Sequence, residues 1–168
     1  MDRNLIQPVI DRYASVLYRA AFTLLQNRQD AEDALQETLL RFITRAPTFH
    51  DEEHRKAWLI RVAINVSKDM LRYRNRHDHL PLDEFSETEM DSEQYSILEE
   101  VMALPLIYRE VILLYYIEDY TVRKISEILT VPESTVKKRL QYAREKLRIA
   151  CEEQNAADTP LKGSDSNA

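Results

Sequence analysis

The chain has 168 residues, 44% of them apolar and 31% charged, with a net charge of -6. That is enough apolar side chain for one domain or two small ones, and no run approaches the roughly 20 apolar residues of a membrane span. The opening MDRNLIQPVIDRYAS lacks a signal peptide's uninterrupted apolar stretch, and the lone Cys151 leaves no intrachain disulfide, CxxC pair or zinc-finger spacing, so cytoplasmic, reducing surroundings are expected.

The single glycine, Gly163, lies in a polar tail. Rossmann and P-loop sites bring the backbone close to phosphate through glycines, so nucleotide-binding enzymes of those classes are disfavoured. Apolar residues recur at spacings of three and four rather than two, which predicts an all-α fold. The first helix is expected over Val9–Gln26, with Val9, Tyr13, Leu17, Ala20 and Leu24 on one face. Asp30, with Asp33 three residues on, reads as the N-cap of a second helix through DAEDALQETLLRFITR, whose stripe is Leu35, Leu39 and Phe42 and which Pro47 ends. The third runs from near His54 to Arg76, with Leu59, Val62, Ala63, Val66 and Met70 at helical spacing. From Arg55 to Arg76 it carries seven basic residues against the single acid Asp69, with Phe49 and Trp58 where it begins. A basic groove beside aromatic rings can hold an unstacked base of a single strand, although Trp58 also suits a core position.

Residues 81 to 108 hold eight acidic and no basic groups, and the polar, weakly periodic stretch within them reads as a linker. Beyond it come a short helix near Gln94–Ala103 and one opened by Pro105 and reaching about Tyr116. Last is TVRKISEILTVPESTVKKRLQYAREKL, two helices joined at Leu129-Thr130-Val131 with Thr121 as N-cap. In the second of these, Val136, Leu140, Ala143 and Leu147 form a docking stripe, while Glu133 to Arg148 holds six basic and two acidic residues. Placed in a major groove, Lys137, Lys138 and Gln141 would read bases, Ser134 and Thr135 would touch phosphate or base, and Arg139 and Arg144 would anchor the backbone. A basic helical hairpin without that role has the same pattern. Thr130 stands where such turns often use glycine, and a left-handed threonine there costs on the order of 1 kcal/mol.

The acidic total does not argue against DNA, because the charge is segregated. Residues 1 to 80 carry 13 basic and 11 acidic groups, residues 109 to 150 carry nine and six, and the net negative charge lies in the linker and the tail. The fragment HDEEH places His50 and His54 four apart but has Asp where a metalloprotease has Glu, and it precedes a helix; HDH at His77 to His79 is weaker still, so neither metal nor cofactor is expected.

Two ordered blocks carry a resemblance. DAEDALQETLLRF with AWLIRVAINVSKDMLR resembles the second conserved region of sigma-70 family RNA polymerase sigma factors, and LPLIYREVILLYYIEDYTVRKISEIL with VPESTVKKRLQYAREKLR resembles the fourth, in the small extracytoplasmic-function (ECF) group. The resemblance implies a region 2 domain at residues 1–78, an acidic linker at 79–94, a region 4 helix-turn-helix domain at 95–150 and a disordered tail at 151–168. It implies a non-enzymatic partner of core RNA polymerase that meets its largest-subunit clamp and flap, with Asp30, Asp33, Gln36, Glu37, Leu40 and Arg41 as the core-binding residues. Promoter DNA would meet Phe49, Arg55, Lys56, Trp58, Arg61, Asn65, Lys68, Asp69 and Arg72 at the minus-10 element. At the minus-35 element it would meet Ser134, Thr135, Lys137, Lys138, Arg139, Gln141, Tyr142 and Arg144. A cognate anti-sigma factor, often membrane-spanning in this group, is the further partner implied, with no lipid insertion by the chain itself. The family often has Gly at Thr130, Ser at Lys138 and Arg at Tyr142, so a promoter sequence does not transfer. A stand-alone helix-turn-helix regulator is the alternative, but it has no need of a second, strand-capturing helix.

Overall fold

A computed structural model describes residues 3–77 and 99–157. The chain is helical, and no strand occurs among the described residues. Three long helices come first: α1 (Arg3–Leu25), α2 (Arg28–Arg45) and α3 (Glu52–His77). After a helical stretch at 99–103 come α4 (Leu106–Ile112), which continues as a π-helical turn (Leu113–Ile117), then α5 (Val122–Leu129) and α6 (Glu133–Ala157). The expected linker at 79–94, the start of the short helix at Gln94, the side chains of the HDH fragment and residues 158–168 of the tail lie outside the described residues. Helix α6 itself runs on past Cys151 to Ala157.

Several boundaries differ from expectation for local reasons. Helix α1 starts upstream of Pro8, which lies inside it and leaves one backbone carbonyl of the first turn without its intrahelical donor. Helix α2 is capped by Asn27 and not by Asp30: the Asn27 side chain accepts the Asp30 N–H at 2.9 Å. Asp30 instead sits in the first turn, where its carboxylate suits the helix dipole and pairs with Arg74. Asp51 caps α3, accepting the His54 N–H at 2.7 Å, and His54 Nδ1 in turn accepts the His50 N–H at 3.3 Å. The HDEEH fragment is therefore a helix start in which one imidazole lone pair already has a partner.

The turns do without glycine. Gln26, Asp119 and Thr130 all take positive φ, at 54°, 58° and 56°. Thr130 (ψ 48°) ends α5, and its N–H and that of Val131 both turn back to the Ser126 carbonyl, the Val131 bond at 3.2 Å. Thr121 caps α5 as expected, accepting the Lys124 N–H at 3.2 Å.

Helices α1, α2 and α3 pack on one another through Leu17, Leu24, Phe42, Leu59, Ile60 and Ile64, while α4 with its π-helical turn, α5 and α6 pack through Val111, Leu114, Ile125, Val136 and Leu140. Both sets belong to one continuous cluster, joined where α1 meets α4 and α3 meets α5. Polar contacts also cross this boundary. Gln26 Nε2 donates to the Met102 carbonyl at 2.6 Å, and the buried Arg109, whose pKa burial lowers, donates to the Thr23 carbonyl at 3.3 Å.

Candidate nucleic-acid and polymerase surfaces

Helix α2 buries Ala31, Ala34, Thr38 and Phe42, which turns Asp33, Gln36 and Leu40 outward. Leu40 is 53% exposed, a large apolar side chain amid polar ones. Glu37 accepts from Arg41 Nε at 2.7 Å, an i,i+4 pair that orients both, and Gln29 donates to Asp33 at 3.3 Å. Five of the six expected polymerase contacts thus form one ridge, whereas Asp30 is drawn to Arg74 on α3.

The aromatic residues near the start of α3 form one cluster. Phe49 stacks on Phe42 at 6.2 Å and meets Trp58 edge-on at 5.7 Å, while the Arg55 guanidinium lies over Phe49 at 5.6 Å and pairs with Glu52. Trp58 is half-buried in this cluster, against Phe42 at 6.4 Å. Beside it, Tyr13 donates to Glu52 at 2.6 Å. Burial and this acidic partner push the Tyr13 phenol up to about 12, and the same hydrogen bond holds Glu52 below the usual carboxylate range.

Further along α3, Arg61, Asn65, Lys68 and Arg72 follow one another at helical spacing, and the structure divides them. Asn65 and Arg72 are exposed, with Arg72 paired to Asp69 at 2.6 Å. Arg61 donates to the Glu127 carbonyl of α5 at 2.6 Å, and Lys68 reaches Glu110 of α4 at 2.6 Å. Lys56 lies 3.8 Å from Glu118 and over the Tyr120 ring at 5.6 Å. Burial, with Glu53 nearby, raises the Tyr120 phenol further.

On α6, Val136, Leu140 and Ala143 are buried against α5, so Ser134, Lys137, Lys138 and Gln141 stand exposed and Thr135 is half-exposed. The flanking residues have other partners. Arg139 turns inward to Glu110 at 3.2 Å, and Tyr142 stacks on Tyr108 at 4.3 Å with the Lys146 ammonium over its ring. Arg144 donates through Nε to Tyr116 Oη at 2.6 Å and lies over the rings of Tyr115 and Tyr116. Local spacing did not reveal this aromatic seat, because the π-helical turn rotates Tyr115 and Tyr116 from the register a regular helix would give them.

Among the described residues no helix is long and apolar enough to cross a membrane.

Comparison with known proteins agrees with this geometry. Residues 9–77 match sigma-70 region 2, and residues 94–147 match sigma-70 region 4. The ECF RNA polymerase sigma factor SigL of Mycobacterium tuberculosis is 32% identical, over 90% of this chain and 92% of its own length. SigW of Bacillus subtilis is 28% identical, over 88% of this chain and 89% of its own. Among solved structures, the sigma factor RpoE in complex with the anti-sigma factor NepR from Bartonella quintana superposes with a TM-score of 0.72 at 20% identity, covering 87% of this chain and 96% of that one. CnrH in complex with the cytosolic domain of CnrY gives 0.66 at 21% identity, covering 94% and 92%. A helix-turn-helix with an outward basic face, a second cationic helix beside an aromatic cluster, and relatives spanning nearly the whole length place the chain in the sigma-70 family of RNA polymerase sigma factors, in the ECF group.

Proposed function

We propose that this ECF sigma factor binds core RNA polymerase through the outer ridge of α2, reads the minus-35 duplex through Lys137, Lys138 and Gln141 of α6, and captures an unstacked minus-10 base beside Asn65 of α3. The observation that carries the reading is the presence of two separate polar surfaces on one chain, one on the exposed face of α6 and one on α3 next to the Phe42, Phe49 and Trp58 cluster. A duplex reader needs only the first; strand opening needs the second. The chain contributes binding energy to opening and performs no chemistry of its own.

Anti-sigma complexes among its structural neighbours support a cognate anti-sigma factor as a further partner and a stress signal as the trigger, acting in the cytoplasm. The test is reconstitution. Mixed with core RNA polymerase, the protein should co-elute with it and give run-off transcripts from a subset of genomic promoters; a chain that does not bind core would overturn the reading.

A further inference from the structure

Arg144 is exposed on α6, yet it is held in place. Its Nε donates to Tyr116 Oη at 2.6 Å, and its guanidinium carbon lies 5.3 Å from the centre of the Tyr115 ring and 5.7 Å from that of Tyr116. The two rings meet edge to face at 4.9 Å, so they form a corner and not a flat platform. The corner exists because Leu113–Ile117 is a π-helical turn, in which the Glu118 N–H reaches back five residues to the Leu113 carbonyl at 3.0 Å. A turn closed over five residues rotates less per residue than one closed over four, so two consecutive tyrosines can share the side that faces α6. Such turns are rare and recur at functional sites. Beneath the corner Leu113 and Leu114 are fully buried, which ties the turn to the core.

A phenol oxygen and two ring faces orient a guanidinium without cancelling its charge. Arg139, by contrast, is paired with the carboxylate of Glu110. With Nε engaged by Tyr116, the two terminal nitrogens of Arg144 remain as the fork that matches a pair of phosphate oxygens. Arg144 follows Lys137 by seven residues, which returns it to nearly the same face as Lys137 and Gln141. It stands about 10 Å further along the axis than Lys137. The major groove is about 12 Å wide, so with Lys137 and Gln141 at base edges the guanidinium reaches the rim, where the phosphates lie.

We propose that Tyr115 and Tyr116 are positioning residues, set by the π-helical turn, that hold the Arg144 guanidinium in the orientation a backbone phosphate at the groove rim requires. The inference rests on the reading of α6 as the duplex-binding helix. Order already present in the free chain is not lost again on binding, so the tyrosines raise affinity without touching DNA. Two properties follow from this arrangement. Tyr116 acts alike on every sequence, because phosphates carry no base identity, and it acts only through Arg144.

The test uses the full chain and a short fluorescein-labelled duplex of arbitrary sequence, with affinity read by anisotropy across a salt series. Arg144→Ala should lower the slope of log affinity against log salt by about 0.9, the loss of one phosphate contact. Tyr116→Leu should weaken binding about three- to fivefold at each salt concentration with the slope unchanged, because the contact still forms once the guanidinium is ordered. Added to Arg144→Ala, Tyr116→Leu should have no further effect. Tyr116 is 55% exposed, so its replacement leaves the core intact.

Equal weakening by Tyr116→Leu in both backgrounds would show that the tyrosine acts on the fold of the C-terminal helices, and would overturn the inference. Tighter binding by Tyr116→Leu would overturn it as well, since the rings would then be withholding the guanidinium from DNA. A wild-type slope retained in Arg144→Ala removes the phosphate contact, and the inference with it, while leaving Lys137, Lys138 and Gln141 their roles. A wild-type chain whose duplex affinity does not respond to salt overturns the reading of α6 itself.

Discussion

A branched Cβ in the left-handed region carries a steric cost of about 1 kcal/mol, and Thr130 sits there at φ 56°, ψ 48° with its side chain exposed. Thr130→Gly should therefore raise stability by about 0.5 to 1 kcal/mol, read as a higher urea midpoint at unchanged slope. A lower midpoint would mean that the threonine side chain contributes something its exposure does not suggest. Tyr13 gives a second prediction at this scale. An unfolded phenol loses its proton near pH 10, whereas folded Tyr13 keeps its own to about 12. Its contribution is complete below pH 10 and is lost as pH rises from about 10 to 12, because there the folded state holds a proton that the unfolded state has released. In Tyr13→Phe that part of the alkaline loss should vanish, leaving the part due to Tyr120, whose pKa is also raised. Urea titrations of both proteins across pH 9 to 12 check this, and parallel curves would refute it. Thr130's position was legible as a turn from its neighbours, but its left-handed backbone was only a condition until the α5 carbonyls were seen to need it.

Neighbouring positions on one helix can have opposite fates, and α6 shows why an apolar stripe predicts some of them and not others. Val136, Leu140 and Ala143 were legible as the docked face, and with them the exposure of Lys137, Lys138 and Gln141 on the far side. Arg139 lies at the stripe's edge, and its direction is set by Glu110, 29 residues earlier, which helical periodicity cannot register. Arg139→Ala should thus act through stability. Leaving the 1%-exposed Glu110 side chain without one of its cations should cost about 2 to 3 kcal/mol. Lys138→Ala should change stability by less than about 0.5 kcal/mol while altering preference at one minus-35 position by about 1 to 3 kcal/mol. Chemical denaturation combined with duplex binding on single-base variants separates the two; equal loss on every sequence from Lys138→Ala would remove its reading role. The start of α2 carries the same lesson. Asp30 has the composition of a cap, but Asn27 reaches the orphan N–H first, and Arg74 on another helix claims the carboxylate.

At the scale of the molecule, the two helical sets and their cores were legible because each rests on local periodicity, whereas the contact between them was not. It depends on pairs such as Arg19 with Glu118, 99 residues apart, and on Arg61 with a backbone carbonyl that carries no sequence signature. The segregation of charge was legible and has a consequence for the whole chain. The acids Asp83, Glu84, Glu87, Glu89 and Asp91 lie between two blocks of net positive charge, tethered close to both in sequence. At low salt their field reaches a phosphate backbone approaching either block, since the Debye length is about 10 Å at 0.1 M and about 30 Å at 0.01 M. Replacing the five with Asn or Gln takes the net charge from -6 to -1. Affinity for a duplex of arbitrary sequence should then rise several-fold near 0.05 M salt, and the gain should shrink as salt approaches about 0.3 M, because only a screened, long-range repulsion has been removed. A gain that persists at high salt would point to direct contact between these acids and the basic helices, and no gain at low salt would show that the segment is held away from bound DNA.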